Sequence, residues 1–214
     1  VLEEKLSSLD ESKPSLFERF DAETRRTITI LQTALFEFAE KDRMVLMGRA
    51  GQWLLRGIPH VVRVRVMAPF ELRAKRLGKK LSGQMGEQAN SRTVHDMARR
   101  DDAEKLGRMR YLYEVDLRDP ALYDLVLNME KLSIDAAVEL VAAAVQRPEL
   151  QTTPAGQQLV ADRSLASQVQ VALATNPETR RYRITVEAKS GLVTLEGTAA
   201  MDEAVEVARS VSGV

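Results

Sequence analysis

The chain has 214 residues with 31 basic and 31 acidic side chains, so its formal net charge is zero. That balance excludes a strong overall attraction to nucleic acid or an anionic membrane. The absence of cysteine excludes disulfides, thiolate metal sites and cysteine nucleophiles. With 44% hydrophobic residues the chain is globular rather than disordered, and its length suits one large domain or two small ones.

Residues 1–22 are polar with scattered Leu and Phe, and read as a weak helix followed by a turn at Lys13-Pro14. Residues 23–41 place Ile28, Leu31, Leu35 and Phe38 near helical spacing, which predicts an amphipathic helix. The run MVLMG (44–48) predicts a short buried strand. GQWLLRG (51–57) predicts a short helix ended by Gly57 and Pro59. HVVRVRVMAP (60–69) alternates Val62, Val64 and Val66 with Arg63 and Arg65, the pattern of a strand, and stops at Ala68-Pro69. A basic helix follows at 71–81, then a loop at 82–91 and a long, charged helix at 92–116. After Asp119-Pro120, YDLVLNM (123–129) is a buried strand, and 132–146 is an amphipathic helix.

The texture then changes. Residues 147–158 hold two Pro, one Gly, two Thr and three Gln without periodicity, and read as a linker. Beyond it, 164–175 has a helical face of Leu165, Val169 and Leu173. YRITVEA (182–188) and LVTLEG (192–197) alternate around Lys189-Ser190-Gly191, the signature of a hairpin, and 202–214 forms a closing helix. The order is α-β-β-α. A two-stranded hairpin is marginal alone, so a further strand is expected after Val214. The reading gives three segments: 1–147, a linker at 148–160, and 161–214. The last 67 residues carry six basic and eight acidic side chains, so neither part is charged enough to name a partner.

The front segment alternates strands and helices, which predicts an α/β fold with a parallel sheet covered by helices. Such sheets bind ligands at the carboxyl ends of their strands. Three features fall there. The first is Gly48-Arg49, after the 44–48 run: glycine lets backbone approach a ligand, and the arginine fork matches a phosphate. The plain alternative is a strand-to-helix turn with a solvated arginine. The second is RAKRLGKK (73–80), with Arg73 and Arg76 among five basic residues in eight. Its plain alternative is a solvated helix face. The third is Asp102, Lys105 and Arg108, spaced i, i+3, i+6 on the long helix beside Arg99, Arg100 and Arg110. Several arginines on a closing helix can offset the charge of a transferring phosphoryl group. The plain alternative is a helix held by local ion pairs. The pattern G-x-x-x-x-G-K-[ST] does not occur, His60 and His95 have no evident nucleophile, and no metal-ligand spacing is present.

These residues have a familiar order. MVLMGRAG, VVRVRVMAPFELRAKRL and the stretch from Arg99 to Val141, above all DPALYDLVLNMEKLSIDAAVEL, resemble the bacterial cytidylate kinase-like family. The resemblance implies a P-loop nucleoside monophosphate kinase with a parallel sheet and an arginine-rich lid. It implies transfer of the ATP γ-phosphoryl group to CMP or dCMP with Mg²⁺, in the cytoplasm. On it, Gly48, Arg49, Arg73 and Arg76 bind nucleotide, and Asp102, Lys105 and Arg108 are the catalytic lid set. Lys105 stands where arginine is usual, which keeps the charge and loses the bidentate fork. The family's Walker A loop would precede the first helix, and Val1 is not Met, so the expectation is that this segment begins after the loop. A kinase-like fold that holds nucleotide without turnover is the alternative.

Residues 161–214 resemble a BON domain, on the leading helix LASQVQVAL, the pair ITVEAKSGLVTLEGTA and the closing SGV. That resemblance implies a binding or regulatory module, with phospholipid or a small molecule as ligand and no catalytic set. A second copy of the chain stands as a further expected partner, and nucleic acid does not.

Overall fold

A computed structural model describes residues 22–48, 50–85, 89–197 and 200–214. Contacts gather the chain into two compact units, Val62–Pro148 and residues 22–61 with Glu149–Val214. The weak helix expected at 1–22 lies outside the described residues, Ala22 excepted, as does Arg49.

The first unit is built on β1 (Val64–Met67) and β2 (Leu125–Asn128), which pair in parallel with Val64 opposite Leu125 and Met67 opposite Asn128. Between them run α3 (Phe70–Met85) and α4 (Ser91–Tyr113), and α5 (Ile134–Val145) follows β2. Parallel strands need such a crossover. Asn90 caps α4 by accepting from the backbone N–H of Arg92 and Thr93, and Ser133 caps α5 through Ala136. Leu127, Met129 and Ala137 form a small buried cluster with Val64, Ala68, Leu132 and Val141 around it. The basic helix continues to Met85, four residues beyond the expected stop, because Ser82 back-bonds to Gly78 and holds the extra turn.

In the second unit, α1 (Ala22–Glu40) packs on α6 (Pro154–Thr175), with the short α2 (Gly51–Leu54) beside α1. Strands β3 (Ile184–Lys189) and β4 (Leu192–Gly197) pair antiparallel and pack with α7 (Met201–Arg209) against α6. The α-β-β-α order is therefore present. Ser190 and Gly191 both have positive φ (51° and 83°), the geometry of a two-residue hairpin turn that favours glycine. Val169, Leu173, Ile184, Ala204 and Ala208 form the core. Thr179 is buried and donates to the Leu173 carbonyl, which closes the end of α6.

Two expectations are corrected here. Residues 44–48 do not form a buried strand: Val45 and Met47 are each 89% exposed and no described strand pairs with them. A short apolar run says nothing about whether a partner strand exists, and Asp42 and Arg43, at φ 52° and 50°, turn the chain just before it. The second half of the expected linker is helix. Thr153 accepts from the Gly156 N–H and Pro154 occupies the first helical position, so α6 starts ten residues before 164. Proline there is a start signal, since its missing N–H would have no intrahelical partner anyway. No described helix is long and apolar enough to cross a membrane.

Candidate functional site

The carboxyl ends of β1 and β2 lead into Ala68 and Met129, and both carbonyls receive an arginine from α3. Arg73 Nε donates to the Ala68 carbonyl at 3.1 Å, and Arg76 reaches the Met129 carbonyl at 3.5 Å. Helical spacing explains why: residues three apart on α3 lie on one face, and that face looks along the strand ends. Pro69 stops β1 and its carbonyl accepts the Arg73 N–H, so α3 begins two residues after the strand. The sequence-predicted Arg73 and Arg76 are thus brought together at the carboxyl edge of the two parallel strands, the edge at which open α/β sheets generally take ligands.

The rest of the Arg73 fork is occupied. Its two terminal nitrogens bond both oxygens of Asp102 on α4, at 2.7 and 2.8 Å. Asp102 holds the Arg73 guanidinium above its ordinary value, against the opposing effect of burial. This bidentate pair ties α3 to α4. Around it, the Phe70 ring carries Arg73 at 5.6 Å and Arg99 at 5.5 Å, with the His95 ring 5.6 Å away. His95 Nδ1 lies 2.7 Å from the Ser91 carbonyl and Nε2 lies 3.0 Å from Glu71. A carbonyl and a carboxylate both accept, so this geometry suits the imidazolium, and the Glu71 carboxylate raises the His95 pKa.

Asp102, Lys105 and Arg108 fan around α4 rather than converging. Asp102 faces Arg73. Lys105 turns back to Asp101 at 2.6 Å, and Arg100 pairs with Glu104 at 2.6 Å. Arg108 is half-buried beside the buried Met109 and has no ion pair among the described residues. Among the described residues its fork meets no partner. Beyond α4, Asp116 accepts from Arg118 and Arg110, which hold its carboxyl far below the usual carboxylate range. Gly48 lies in the second unit with φ 73°, and its carbonyl accepts the Gly51 N–H.

The sequence did not single out the pair at the amino ends of the strands. Asp124 accepts from Arg63 through Nε at 3.1 Å, a terminal nitrogen at 2.7 Å and the backbone N–H at 2.7 Å. Arg63 in turn holds the Asp124 carboxyl below its ordinary value. The arginine precedes β1 and the aspartate precedes β2, so the pair fixes the parallel register from the edge opposite Arg73. Its only sequence signal is an Arg and an Asp each abutting an apolar run, too common a pattern to select.

No described group of three or more His, Asp or Glu could hold a metal ion. A phosphoryl-transfer Mg²⁺ needs no such cage, because it is held by nucleotide phosphates with one or two carboxylates. Asp102 is the carboxylate seated beside the strand-end arginines, and it is spent on Arg73. The described residues fit the phosphates of a nucleotide better than they fit its metal.

Comparison with known proteins divides the chain differently from the two units, since the kinase-like match takes in residues 22–61. The cytidylate kinase-like family profile matches residues 1–131, and the BON domain profile matches 161–214. The chain is 26% identical over 144 residues to the cytidylate kinase of Staphylothermus marinus, covering 67% of this chain and 71% of that protein. It is 30% identical over 111 residues to the cytidylate kinase of Methanocaldococcus jannaschii, covering 51% and 59%. Against that of Thermococcus sibiricus the figures are 31% over 111 residues, 51% and 52%. The chain thus spans from about half to about seven-tenths of these relatives. No solved structure gives a significant match.

Proposed function

The chain belongs to the cytidylate kinase-like family through residues 1–131, and from that premise we propose that the whole protein transfers the γ-phosphoryl group of ATP to CMP or dCMP. One observation carries the reading. Two arginines of one helix are anchored by the carbonyls that end two parallel strands, which concentrates positive charge where α/β sheets receive ligands. The relatives named cytidylate kinase support the same class.

In this reading Arg76, bound by a single long contact, swings to the acceptor phosphate and grips it with its fork. Gly48 and Arg49 contribute to the same nucleotide-binding role. Arg73 and Asp102 act on each other, and their pair positions α4 against α3. Arg108 offsets the negative charge that develops on the transferring group, and Lys105 joins it by leaving Asp101. Mg²⁺, when bound with ATP, neutralises charge shared between the phosphates. The BON domain is a ligand-binding or regulatory module that takes phospholipid or a small molecule.

The test is an ATP-coupled assay of the full-length protein with CMP, dCMP and UMP. Arg108→Ala should lower kcat by about 10²–10³, the loss expected when one donor to a developing charge is removed. Arg76→Ala should raise the KM for the acceptor more than it lowers kcat. Nucleotide binding without turnover in the native protein would overturn the transferase and leave a regulatory nucleotide-binding protein.

A further inference from the structure

The second unit holds a cleft of about 520 Å³ between α1, the turn after α2, and α6. That is the size of a small-molecule site. Among the described residues, the ionisable side chains lining it are Arg56 and Arg163, so both carry the same sign and no carboxylate lines the cleft. Gln32 and Gln170 add amide donors and acceptors from the two facing helices, and Leu54 supplies apolar wall.

The two arginines are held in place by backbone rather than by acids. The Arg56 guanidinium lies over the Trp53 ring at 3.7 Å and donates to the Trp53 carbonyl at 2.8 Å. Arg163 crosses from α6 and donates to the Arg56 carbonyl at 2.6 Å. The turn that accepts it needs Gly57, whose φ is 76° and where a Cβ would stand 3.3 Å from the Arg163 guanidinium. Each fork uses one terminal nitrogen on a carbonyl and keeps other N–H donors uncommitted. Two cations brought to one turn without a counter-charge repel each other and lose hydration, and the Arg163 guanidinium is accordingly held below its ordinary value by burial and by Arg56. An anion between them screens the repulsion and offsets the lost hydration with charge-assisted hydrogen bonds.

We propose that this cleft is a binding site for a small phosphomonoester, with Arg56 and Arg163 gripping the phosphate and Gln32 and Gln170 reading the polar body attached to it. Phosphate fits because two guanidinium forks present more donors than a single carboxylate can accept. The glutamine amides suit hydroxyl groups, which both donate and accept. The site is separate from the residues assigned to nucleotide and to phosphoryl transfer.

The test is calorimetric titration of the whole protein with ribose 5-phosphate, with ribose, and with phosphatidylcholine vesicles containing phosphatidic acid. Saturable binding of ribose 5-phosphate, absent for ribose, is expected. Arg56→Gln and Arg163→Gln should each weaken it about tenfold or more, the effect of losing a charge-assisted contact. Binding confined to the phosphatidic acid vesicles and lost in both variants would support the phosphate chemistry and assign its source to lipid. Ribose 5-phosphate binding that both variants leave unchanged would overturn the site, as would no saturable binding in any arm. Arg56 is exposed, so Arg56→Gln keeps the test decisive if Arg163→Gln fails to fold.

Discussion

The two units answer the problem of burial in opposite ways. In the second, the core residues Val160, Val169, Leu173, Ala204 and Ala208 are each 4% exposed or less, and small side chains let α7 and the hairpin press onto α6. In the first, Val66 is 65% exposed on β1, and Ile134 and Val138 on α5 are 75% and 61% exposed. Parallel strands are ordinarily covered on both faces, so this unit leaves apolar surface open, and arginine–carboxylate pairs link its elements beside a small core. The difference places the candidate phosphate chemistry of the first unit where ion pairs hold the elements together.

The largest effect that tests this contrast is a paired truncation. Leu173→Ala should cost about 4 kcal/mol, because its tightly enclosed site cannot collapse onto the space left behind. Leu127→Ala, in a cluster of three buried residues, should cost nearer 2 kcal/mol. Urea denaturation of both variants measures the two losses, and equal losses would break the comparison.

A second test concerns how tightly α6 starts. A Cβ on Gly156 would stand 2.8 Å from His60 Nδ1, a buried ring atom with no hydrogen-bond partner. Gly156→Ala gains helix propensity and yet should lose about 1–3 kcal/mol, because the buried ring must move. A stabilised variant would mean that the start of α6 is looser than the geometry states.

These positions also mark what the sequence could show. Helical spacing identified α1, α5 and the second half of α6 because one face of each is apolar over several turns. The strands and the hairpin were legible from two-residue alternation and turn residues, and the place of Arg73 and Arg76 from the helix that follows Pro69. The exposed 44–48 run was not, since apolar character does not reveal a missing neighbour. The first turns of α6 were hidden because Thr153-Pro154 reads as a break unless the cap is recognised. The phosphate cleft was invisible, because Arg163 meets the Arg56 carbonyl across 107 positions of chain. Arg73 and Asp102 were each selected, but as ligand and catalyst, and nothing in their spacing announced that they would satisfy each other.

That mutual satisfaction sets the third test. A double-mutant cycle of Arg73→Ala and Asp102→Ala isolates the pair. Both side chains are over a third exposed, at 36% and 38%, so solvent screening limits the coupling to about 0.5–1 kcal/mol despite the bidentate geometry. Coupling near zero would show that α4 moves independently of α3. It would return Arg73 to the set of arginines free to bind nucleotide.

The smallest effect is a proton. His95 bridges α4 and α3 through Glu71, and its folded pKa is raised above 6.5 chiefly by that carboxylate and next by the Ser91 carbonyl. A raised pKa means that the bridge contributes fully below the unfolded value of about 6.5 and is lost as pH climbs through the higher folded value. The first unit should therefore loosen slightly as pH rises above about 6.5, and Glu71→Gln should reduce that dependence to the smaller part due to the Ser91 carbonyl. The chain has only two histidines, so the ring proton signals of His95 and His60 can be followed separately by NMR. A His95 midpoint at or below 6.5 would dissolve the bridge. The contrast between the units would then rest on Arg73–Asp102 and Arg63–Asp124, whose guanidinium groups stay charged throughout that range.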